Sequence, residues 1–155
     1  MDVHPCALDD ARAERLLAAL AADYEELYGA SDEMARTTAP EFQPPHGLFV
    51  VGIEHGVTVA GGGFRRFDHR TCEIKRVWAD PALRRRGLAS AILAALESAA
   101  LDAGYERIVL ETGPRQPAAA ALYDSRGYRR IAPFGPYPDD QGFELQLRPG
   151  AGERR

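Results

Sequence analysis

A strand, a basic turn and a helix follow one another between residues 72 and 103, and they restrict the folds open to this chain. Residues 72–78 form a strand-like run that a turn at Asp80 and Pro81 closes. The helix predicted next, over residues 87–103, carries apolar residues at helical spacing, namely Leu88, Ile92, Leu96 and Ala99. A second strand is predicted over residues 107–112, and strands joined by such a crossover pair in parallel with right-handed topology. The fold therefore contains a parallel strand pair.

The remaining elements place antiparallel strands around that pair. Further strands are predicted at residues 3–8, 47–53, 57–60, 128–132 and 143–147. A first helix, capped by Asp9 and Asp10, is expected to run to about Tyr28, where Gly29 stops it. A last helix is predicted over residues 117–126. This order of elements predicts an α+β fold with a mixed sheet.

Two segments between these elements are less regular. The three glycines at residues 61–63 are expected to break the second strand of the hairpin, through a bulge or a close approach of two backbones. Residues 32–36 are expected to add a helical turn before the prolines that follow them.

Length and composition indicate one soluble domain. The chain has 155 residues, of which 45% are hydrophobic and 27% are charged, the proportions of an ordinary globular protein. We expect a single domain over residues 1–148 and a disordered tail over residues 149–155. No apolar run approaches the roughly 20 residues of a membrane span, and the N-terminus lacks a signal-peptide pattern. The protein is therefore expected to be cytoplasmic, with no membrane partner.

Charge and ligand-type residues argue against two further classes of partner. The formal net charge is −4, so the basic turn is a local feature and nucleic-acid binding is not expected. Cys6 and Cys72 lie far apart in the sequence, and the histidines are scattered. Neither matches the spacing of a metal site, so no metal is expected and both cysteines are expected to be reduced.

The basic turn has the composition of an anion site. Arg84, Arg85 and Arg86 directly precede Gly87 and the predicted start of a helix. The first N–H groups of a helix have no partner within it, and the helix dipole leaves partial positive charge at that end. Arginine side chains add charge-assisted, bidentate donors. A phosphate or pyrophosphate is the expected guest.

Two motifs relate this turn to a known family. The acetyl-CoA signature of that family is Gln or Arg, two residues, Gly, one residue, then Gly or Ala, and its slots are filled here by Arg84, Gly87 and Ala89. A second family feature is a helix with Ala-x-x-Leu-Tyr followed by Gly-Tyr, represented here by Ala119, Leu122, Tyr123, Gly127 and Tyr128. The chain therefore resembles the GCN5-related N-acetyltransferase (GNAT) superfamily over nearly its whole length, and in particular a bacterial small-molecule subgroup.

The resemblance implies a specific fold and donor site. The sheet would be mixed and mostly antiparallel, flanked by helices, with its central parallel pair splayed into a V-shaped slot. Acetyl-CoA would lie there as cosubstrate, its pyrophosphate wrapped by the N–H groups of residues 85–90 and its pantetheine bonded to the backbone of Val77 and Ala79. The implied cofactor-binding residues are Val77, Trp78, Ala79, Arg84, Arg85, Arg86, Gly87, Leu88, Ala89, Ser90, Gln116, Ala119 and Tyr123. Trp78 is either a packing anchor or a substrate wall.

The resemblance also implies catalytic roles. Tyr123 is expected to act as the acid that donates to the departing sulfur, since a phenol has an ordinary pKa of about 10. Glu73 stands where several family members keep a glutamate base, and burial beside the slot would strengthen it as a base. Glu111 is the substitute base, and a water chain is the third possibility. Gln116 stands where the family often has Asn. Glutamine keeps the side-chain amide of asparagine but adds one methylene group.

The expected activity is transfer of the acetyl group from acetyl-CoA to a primary amine of a small molecule by direct attack in a ternary complex. Strand alternation should put Cys72 and Glu73 on opposite faces of the sheet, which disfavours an acetyl-cysteine intermediate. The alternatives are a catalytically silent acyl-CoA-binding sensor and a protein N-terminal or lysine acetyltransferase. A homodimer is possible. The acceptor stays open, and its candidate pocket residues are Tyr28, Phe134, Tyr137, Asp139 and Asp140.

Overall fold

The computed structural model describes residues 1–29, 34 and 38–147 of the chain. Within these ranges the strands are β1 (Asp2–Pro5), β2 (Leu48–Glu54), β3 (Val57–Asp68), β4 (Thr71–Ala79), β5 (Arg107–Thr112), β6 (Arg129–Ile131) and β7 (Gln141–Gln146). The α-helices are α1 (Ala11–Tyr28), α2 (Leu88–Asp102) and α3 (Pro117–Ser125), and a 3-10 turn spans Ala39–Phe42.

The strands form one sheet in the order β1-β2-β3-β4-β5-β7-β6. The β4–β5 pair is parallel, and the other neighbours are antiparallel. This architecture confirms the predicted α+β fold with a mixed, mostly antiparallel sheet. Apart from Met34, the predicted helical turn at residues 32–36 and the predicted tail at residues 149–155 lie outside the described residues. None of the helices in the described ranges combines the length and hydropathy that crossing a bilayer requires.

Helix α1 begins and ends where its sequence predicts. The Asp10 carboxylate accepts a hydrogen bond from the Arg12 backbone N–H at 2.8 Å and caps the helix. Gly29, with φ of +75°, ends it and donates its N–H to the Glu25 carbonyl at 2.9 Å. The Asp10 and Gly29 predictions are therefore confirmed.

The sheet separates two apolar clusters. One face packs against α2 and α3, and its fully buried members include Cys72, Ile92, Leu93, Leu96, Ile108 and Phe143. The other face packs beneath α1 and the 3-10 turn, where the cluster consists of Leu8, Ala13, Leu16, Leu20, Phe42, Phe49, Val51 and Trp78. The two layers hold the central strands from both sides and leave the carboxyl end of β5 available to a site.

The three glycines do not break β3, which runs unbroken from Val57 to Asp68, so that prediction was wrong in its main point. Both causes that were predicted there are nevertheless present, a close approach of neighbouring atoms at the glycines and a bulge in the partner strand β4. A Cβ atom at Gly61 would collide with the Leu16 side chain and lie 2.7 Å from the Val50 carbonyl oxygen. A Cβ at Gly63 would lie 2.7 Å from the Phe49 ring. Glycine at these positions lets α1 and the 3-10 turn settle directly onto the sheet.

The irregularity lies instead in β4, opposite these glycines. Gly61 pairs with Trp78 and Gly63 pairs with Lys75, so β4 carries one extra residue between the two pairs. Arg76 has a left-handed φ of +63°, which a non-glycine residue adopts only at a cost of about 1 kcal/mol or more. The bulge shifts the alternation by one residue and places Trp78 in the cluster beneath α1.

The parallel pairing of β4 and β5 is short. Its register includes only Thr71 with Arg107, Cys72 with Ile108 and Glu73 with Val109. Beyond Glu73 the two strands diverge, while β5 stays paired to β7 as far as Thr112. The central pair is therefore splayed, as the family resemblance implies.

The close contact at Gly61 gives a stability prediction. Gly61→Ala should lower the free energy of unfolding by about 1–3 kcal/mol, the usual cost of overpacking, because the added methyl group displaces α1 from the sheet. Urea denaturation measures this. Gly62→Ala is the matched control, since its Cβ would meet mainly Val77 at 3.1 Å, and its loss should be clearly smaller. Equal losses in the two variants would contradict the packing account.

Candidate functional site

The turn before α2 has a backbone suited to an anion. Arg85 and Gly87 adopt left-handed φ values of +65° and +70°, and α2 begins at Leu88. Helix geometry leaves the first N–H groups of α2 without partners inside the helix, next to this turn. A Cβ at Gly87 would have no atom within 4 Å, so the space in front of the turn is open. The backbone fits a phosphate group.

The three arginines of the turn are not equivalent. Arg86 donates to both carboxylate oxygens of Glu54, at 2.9 and 2.5 Å, and so faces the β2–β3 hairpin. These hydrogen bonds hold the pKa of Glu54 below its usual value. All three arginines are exposed, but for Arg84 and Arg85 exposure is not combined, among the described residues, with a carboxylate clamp of the kind that Glu54 forms on Arg86.

A polar network fixes the first turn of α2 to the end of α3. Arg126 donates from Nη1 to the Ser90 hydroxyl at 2.8 Å, and from Nη2 and Nε to Glu97 at 2.5 and 3.3 Å. The buried Tyr128 donates to the same carboxylate at 2.8 Å. The cofactor motif predicted Ser90, but no motif indicated Arg126, because its partner lies 36 residues earlier in the chain.

A cavity of about 920 Å³ opens where β4 and β5 diverge. Its walls come from α1, β3, the bulged part of β4, the end of β5 and the loop of residues 134–140. Each residue predicted for the acceptor pocket lines it, namely Tyr28, Phe134, Tyr137, Asp139 and Asp140. The pocket also includes both glutamates that were predicted as bases, Glu73 and Glu111.

Glu73 is buried and lies between two cations. Arg65 donates to its carboxylate at 3.1 Å through Nε and approaches it at 3.0 Å through Nη2, and the Lys75 ammonium is 3.8 Å away. Arg65 also donates to Glu41 at 2.7 Å. Desolvation raises the pKa of Glu41, but hydrogen bonds from Thr38 and Arg65 outweigh it and leave that pKa below its usual value. The site therefore holds an ionic chain, Glu41–Arg65–Glu73–Lys75.

Cys72 lies on the opposite face of the sheet from Glu73, as strand alternation predicts. Its side chain is fully buried in the cluster beneath α2, and burial raises the pKa of the thiol to about 12. A thiolate nucleophile at Cys72 is therefore strongly disfavoured.

Glu111 anchors the loop of residues 134–140, which lines the cavity. Its carboxylate accepts hydrogen bonds from the backbone N–H groups of Phe134 and Gly135, at 2.9 and 3.1 Å. A Cβ at Gly135 would collide with this carboxylate, so the close approach depends on glycine. The side chain that was predicted as the substitute base is thus occupied in positioning the loop.

Gln116 joins the end of β5 to α1. Its side-chain oxygen accepts from the Gly113 N–H at 3.1 Å, from the Thr112 hydroxyl at 3.3 Å and from the Tyr28 hydroxyl at 3.5 Å. Tyr28 is 39% exposed and also accepts from the Arg115 N–H at 3.3 Å. Tyr28 is therefore a wall of the cavity.

Tyr123 is buried on α3, and its ring contacts Tyr128 and Phe143 with centroid distances of 5.6 and 5.4 Å. Burial raises the pKa of its phenol well above the ordinary value, and the neighbouring Tyr24 raises it further. Tyr123 therefore stays protonated at any physiological pH. Tyr24, which lines the cavity from α1, was not predicted as a site residue.

The other predicted cofactor residues lie along the slot. Val77 and Ala79 follow the β4 bulge, where β4 no longer pairs with β5, and Ala119 is half-buried on α3. Trp78 faces away from the slot, in the cluster beneath α1, with the Arg15 guanidinium 5.3 Å above its ring. Its side chain is a packing anchor, which was one of the two roles predicted for this residue. In the described ranges, no group of three or more histidine, cysteine, aspartate or glutamate side chains could hold a metal ion.

Comparison with known proteins identifies one family for this chain. The profile of the Acetyltransferase (GNAT) family matches residues 13–128. The chain is 37% identical over 68 residues to the IAA acetyltransferase of Azospirillum brasilense, and the matched segment covers 44% of each chain. It spans about half the length of this relative and of a second one from Escherichia coli, 44% and 54% respectively.

Solved structures extend the likeness to the whole fold. A provisionally assigned acyl-CoA N-acyltransferase from Klebsiella pneumoniae is 30% identical, with a TM-score of 0.78 over 95% of this chain and 97% of that one. A GNAT family acetyltransferase from Elizabethkingia anophelis, crystallised with acetyl-CoA bound, is 15% identical with a TM-score of 0.68, over 94% and 97%.

The ionic chain around Glu73 gives a second prediction. Arg65→Gln and Glu73→Gln should each lower the free energy of unfolding by about 1–3 kcal/mol, because each removes one ionic partner from a buried or half-buried charge. The double variant should lose clearly less than the sum of the two, as measured by urea denaturation in a double-mutant cycle. Strictly additive losses would show that the two side chains are not coupled.

Proposed function

Because the chain belongs to the acetyltransferase (GNAT) family, we propose that it transfers the acetyl group of acetyl-CoA to a primary amine of a small molecule, by direct attack in a ternary complex. The observation that carries the proposal is the splayed β4–β5 pair, with the anion-type turn between β4 and α2 and the cavity where the two strands diverge. A protein of the same fold binds acetyl-CoA. We further propose a cytoplasmic location, which is consistent with the two free cysteines.

The donor side of the proposal uses the turn and β4. The N–H groups of residues 85–90 would hold the pyrophosphate at the α2 N-terminus, with Arg84 and Arg85 as exposed cations of the turn. The backbone of Val77 and Ala79, which β5 does not pair, would bond the pantetheine amides. These contacts direct the thioester into the divergence of β4 and β5, where the cavity begins.

The reaction forms a C–N bond and breaks the thioester C–S bond. The neutral amine attacks the carbonyl carbon, its excess proton passes to a base, and the sulfur leaves as a thiolate. Tyr123 is the proposed donor to that sulfur. A thiol has an ordinary pKa of about 8.5, below that of a phenol. Burial raises the pKa of Tyr123 further, so the phenol stabilises the thiolate by a hydrogen bond rather than by giving up its proton.

Glu73 is the proposed base. It lies in the cavity, its carboxylate is held in place by Arg65 and Lys75, and Glu111 is occupied by two backbone N–H groups of the loop. A water between Glu73 and the amine is compatible with the same role. The burial of Cys72 on the other face of the sheet supports direct attack over an acetyl-enzyme.

Turnover tests the proposal. Thiol release from acetyl-CoA is measured with a panel of primary amines, and Tyr123→Phe should lower kcat by about 100-fold, because the hydrogen-bond donor to the sulfur is lost. Tyr105→Phe is the matched control, because its buried phenol donates to the His46 carbonyl at 2.6 Å and takes no part in the site. Its kcat should equal that of the wild type.

Two results would contradict parts of this account. Full kcat in Tyr123→Phe would remove the role of that phenol. Binding of acetyl-CoA without thiol release for any amine would favour the silent sensor instead of an enzyme.

A further inference from the structure

Aromatic side chains surround the acceptor cavity. They come from α1, β3 and the loop of residues 134–140, and they are Tyr24, Tyr28, Phe67, Phe134 and Tyr137. Three separate segments thus present rings to one space of about 920 Å³. Aromatic rings offer large apolar contact areas with preferred edge-to-face or offset geometries, and so favour a flat guest.

Two of these rings remain open to solvent at the cavity. Phe67 is 45% exposed and Tyr28 is 39% exposed, although most large apolar side chains of the described residues are buried. Phe67 contacts Phe134 edge-on, with a centroid distance of 5.3 Å and an interplanar angle of 76°. An apolar guest would remove both exposed rings from water, which stabilises its complex.

The aromatic walls are held in position before a guest arrives. Glu111 bonds the N–H groups of Phe134 and Gly135, and the Tyr28 hydroxyl bonds Gln116 and the Arg115 N–H. Preorganised walls lower the entropic cost of binding a guest of matching shape.

The charges of the cavity do not set the number of cationic groups on the acceptor. Arg65, Lys75 and Arg76 line it from β3 and β4, and four carboxylates line it as well, those of Glu73, Glu111, Asp139 and Asp140. The aromatic walls are therefore the feature that favours one class of acceptor. We propose that the acceptor is a primary amine carried by an aromatic group, either an arylalkylamine or an aromatic amino acid. This proposal rests on the acetyltransferase function proposed above.

The test is kcat/KM for thiol release with four classes of acceptor: phenethylamine and tryptamine, phenylalanine and tryptophan, spermidine, and an aminoglycoside. One of the two aromatic classes should be preferred over both polycations by at least about 10-fold, and the ratio between the two aromatic classes decides whether a carboxylate is also recognised. Phe67→Ala should lower kcat/KM for the preferred acceptor by about 3- to 30-fold, with KM for acetyl-CoA unchanged.

Leu101→Ala is the matched control, since this apolar side chain is 37% exposed on α2, away from the cavity. It should leave every constant unchanged. A preference for spermidine or the aminoglycoside, or an unaffected Phe67→Ala, would overturn the aromatic acceptor while leaving the acetyltransferase intact. Absence of turnover with every amine would instead overturn the proposed function.

A separate observation concerns the donor side. Arg126 donates to the Ser90 hydroxyl in the first turn of α2, at 2.8 Å, so its cation lies beside the helix end that the turn prepares for an anion. Because an arginine N–H occupies a lone pair of the Ser90 oxygen, the hydroxyl hydrogen is left to donate elsewhere. Glu97 clamps the other side of the guanidinium and fixes its direction. We infer that Arg126 is a positioning residue for the pyrophosphate site, acting through Ser90.

Calorimetric titration with CoA tests this second inference, which also rests on the proposed donor site. Arg126→Gln should raise the Kd about 3- to 10-fold, and this effect should vanish in the Ser90→Ala background. Arg130→Gln is the matched control, since Arg130 clamps the Asp124 carboxylate through Nε and Nη2 in the same way but without a serine partner. Arg126→Lys, which keeps the charge, serves if the glutamine variant does not fold.

The outcomes separate positioning from structure. An effect of Arg126→Gln that persists in Ser90→Ala, or an equal effect of Arg130→Gln, would overturn the role of Arg126. A wild-type protein that binds no CoA would overturn the donor site itself.

Discussion

The early end of the β4–β5 pairing is the constraint on which the rest of the structure depends. Only three residue pairs join these parallel strands, and beyond Glu73 the facing backbone groups of β4 lack a neighbouring strand. Buried backbone N–H and C=O groups require hydrogen-bond partners, and an extended ligand can supply them to the part of β4 that β5 does not pair. The same divergence makes room for the cavity and brings the end of β5 close to α1 through Gln116 and Tyr28.

The bulge at Arg76 and the glycines opposite it make this divergence compatible with a packed core. Gly61 and Gly63 let α1 and the 3-10 turn approach β3 closely, and the extra residue in β4 turns Trp78 into the cluster beneath α1. Lys75 and Arg76 are thereby both directed to the cavity side of β4. The left-handed conformation of Arg76 persists because packing on both sides of the strand fixes it.

Local sequence rules predicted most of the fold. The Asp10 cap, the Gly29 stop and the strand over residues 107–112 were predictable because capping chemistry and apolar periodicity act over a few residues. A bulge was one of the two alternatives predicted at the glycines, but its location in β4 at Arg76 was not predictable, since arginine rarely adopts a positive φ. The break predicted at the glycines was wrong, because close packing against them does not interrupt β3.

In the candidate site, too, short motifs were predictable and contacts between distant residues were not. The anion turn and Tyr123 came from short motifs, whereas the partners that define their surroundings are remote in sequence. Arg65 joins Glu41 and Glu73 across three elements, and Glu111 anchors Phe134 from 23 residues away. Such pairs follow from tertiary packing, which no local pattern encodes. The family profile and the similarity to a solved structure agree with the motifs on the protein family. Neither identifies these contacts.

The central claim is that the turn before α2 and the unpaired part of β4 together bind the CoA moiety. Amide chemical shifts recorded by two-dimensional ¹H–¹⁵N NMR during a CoA titration test it most directly. The account predicts the largest shifts at the backbone N–H groups of residues 85–90 and of residues 74–79, with little change in β1 and β2. Shifts confined to the loop of residues 134–140, with residues 85–90 unmoved, would contradict it.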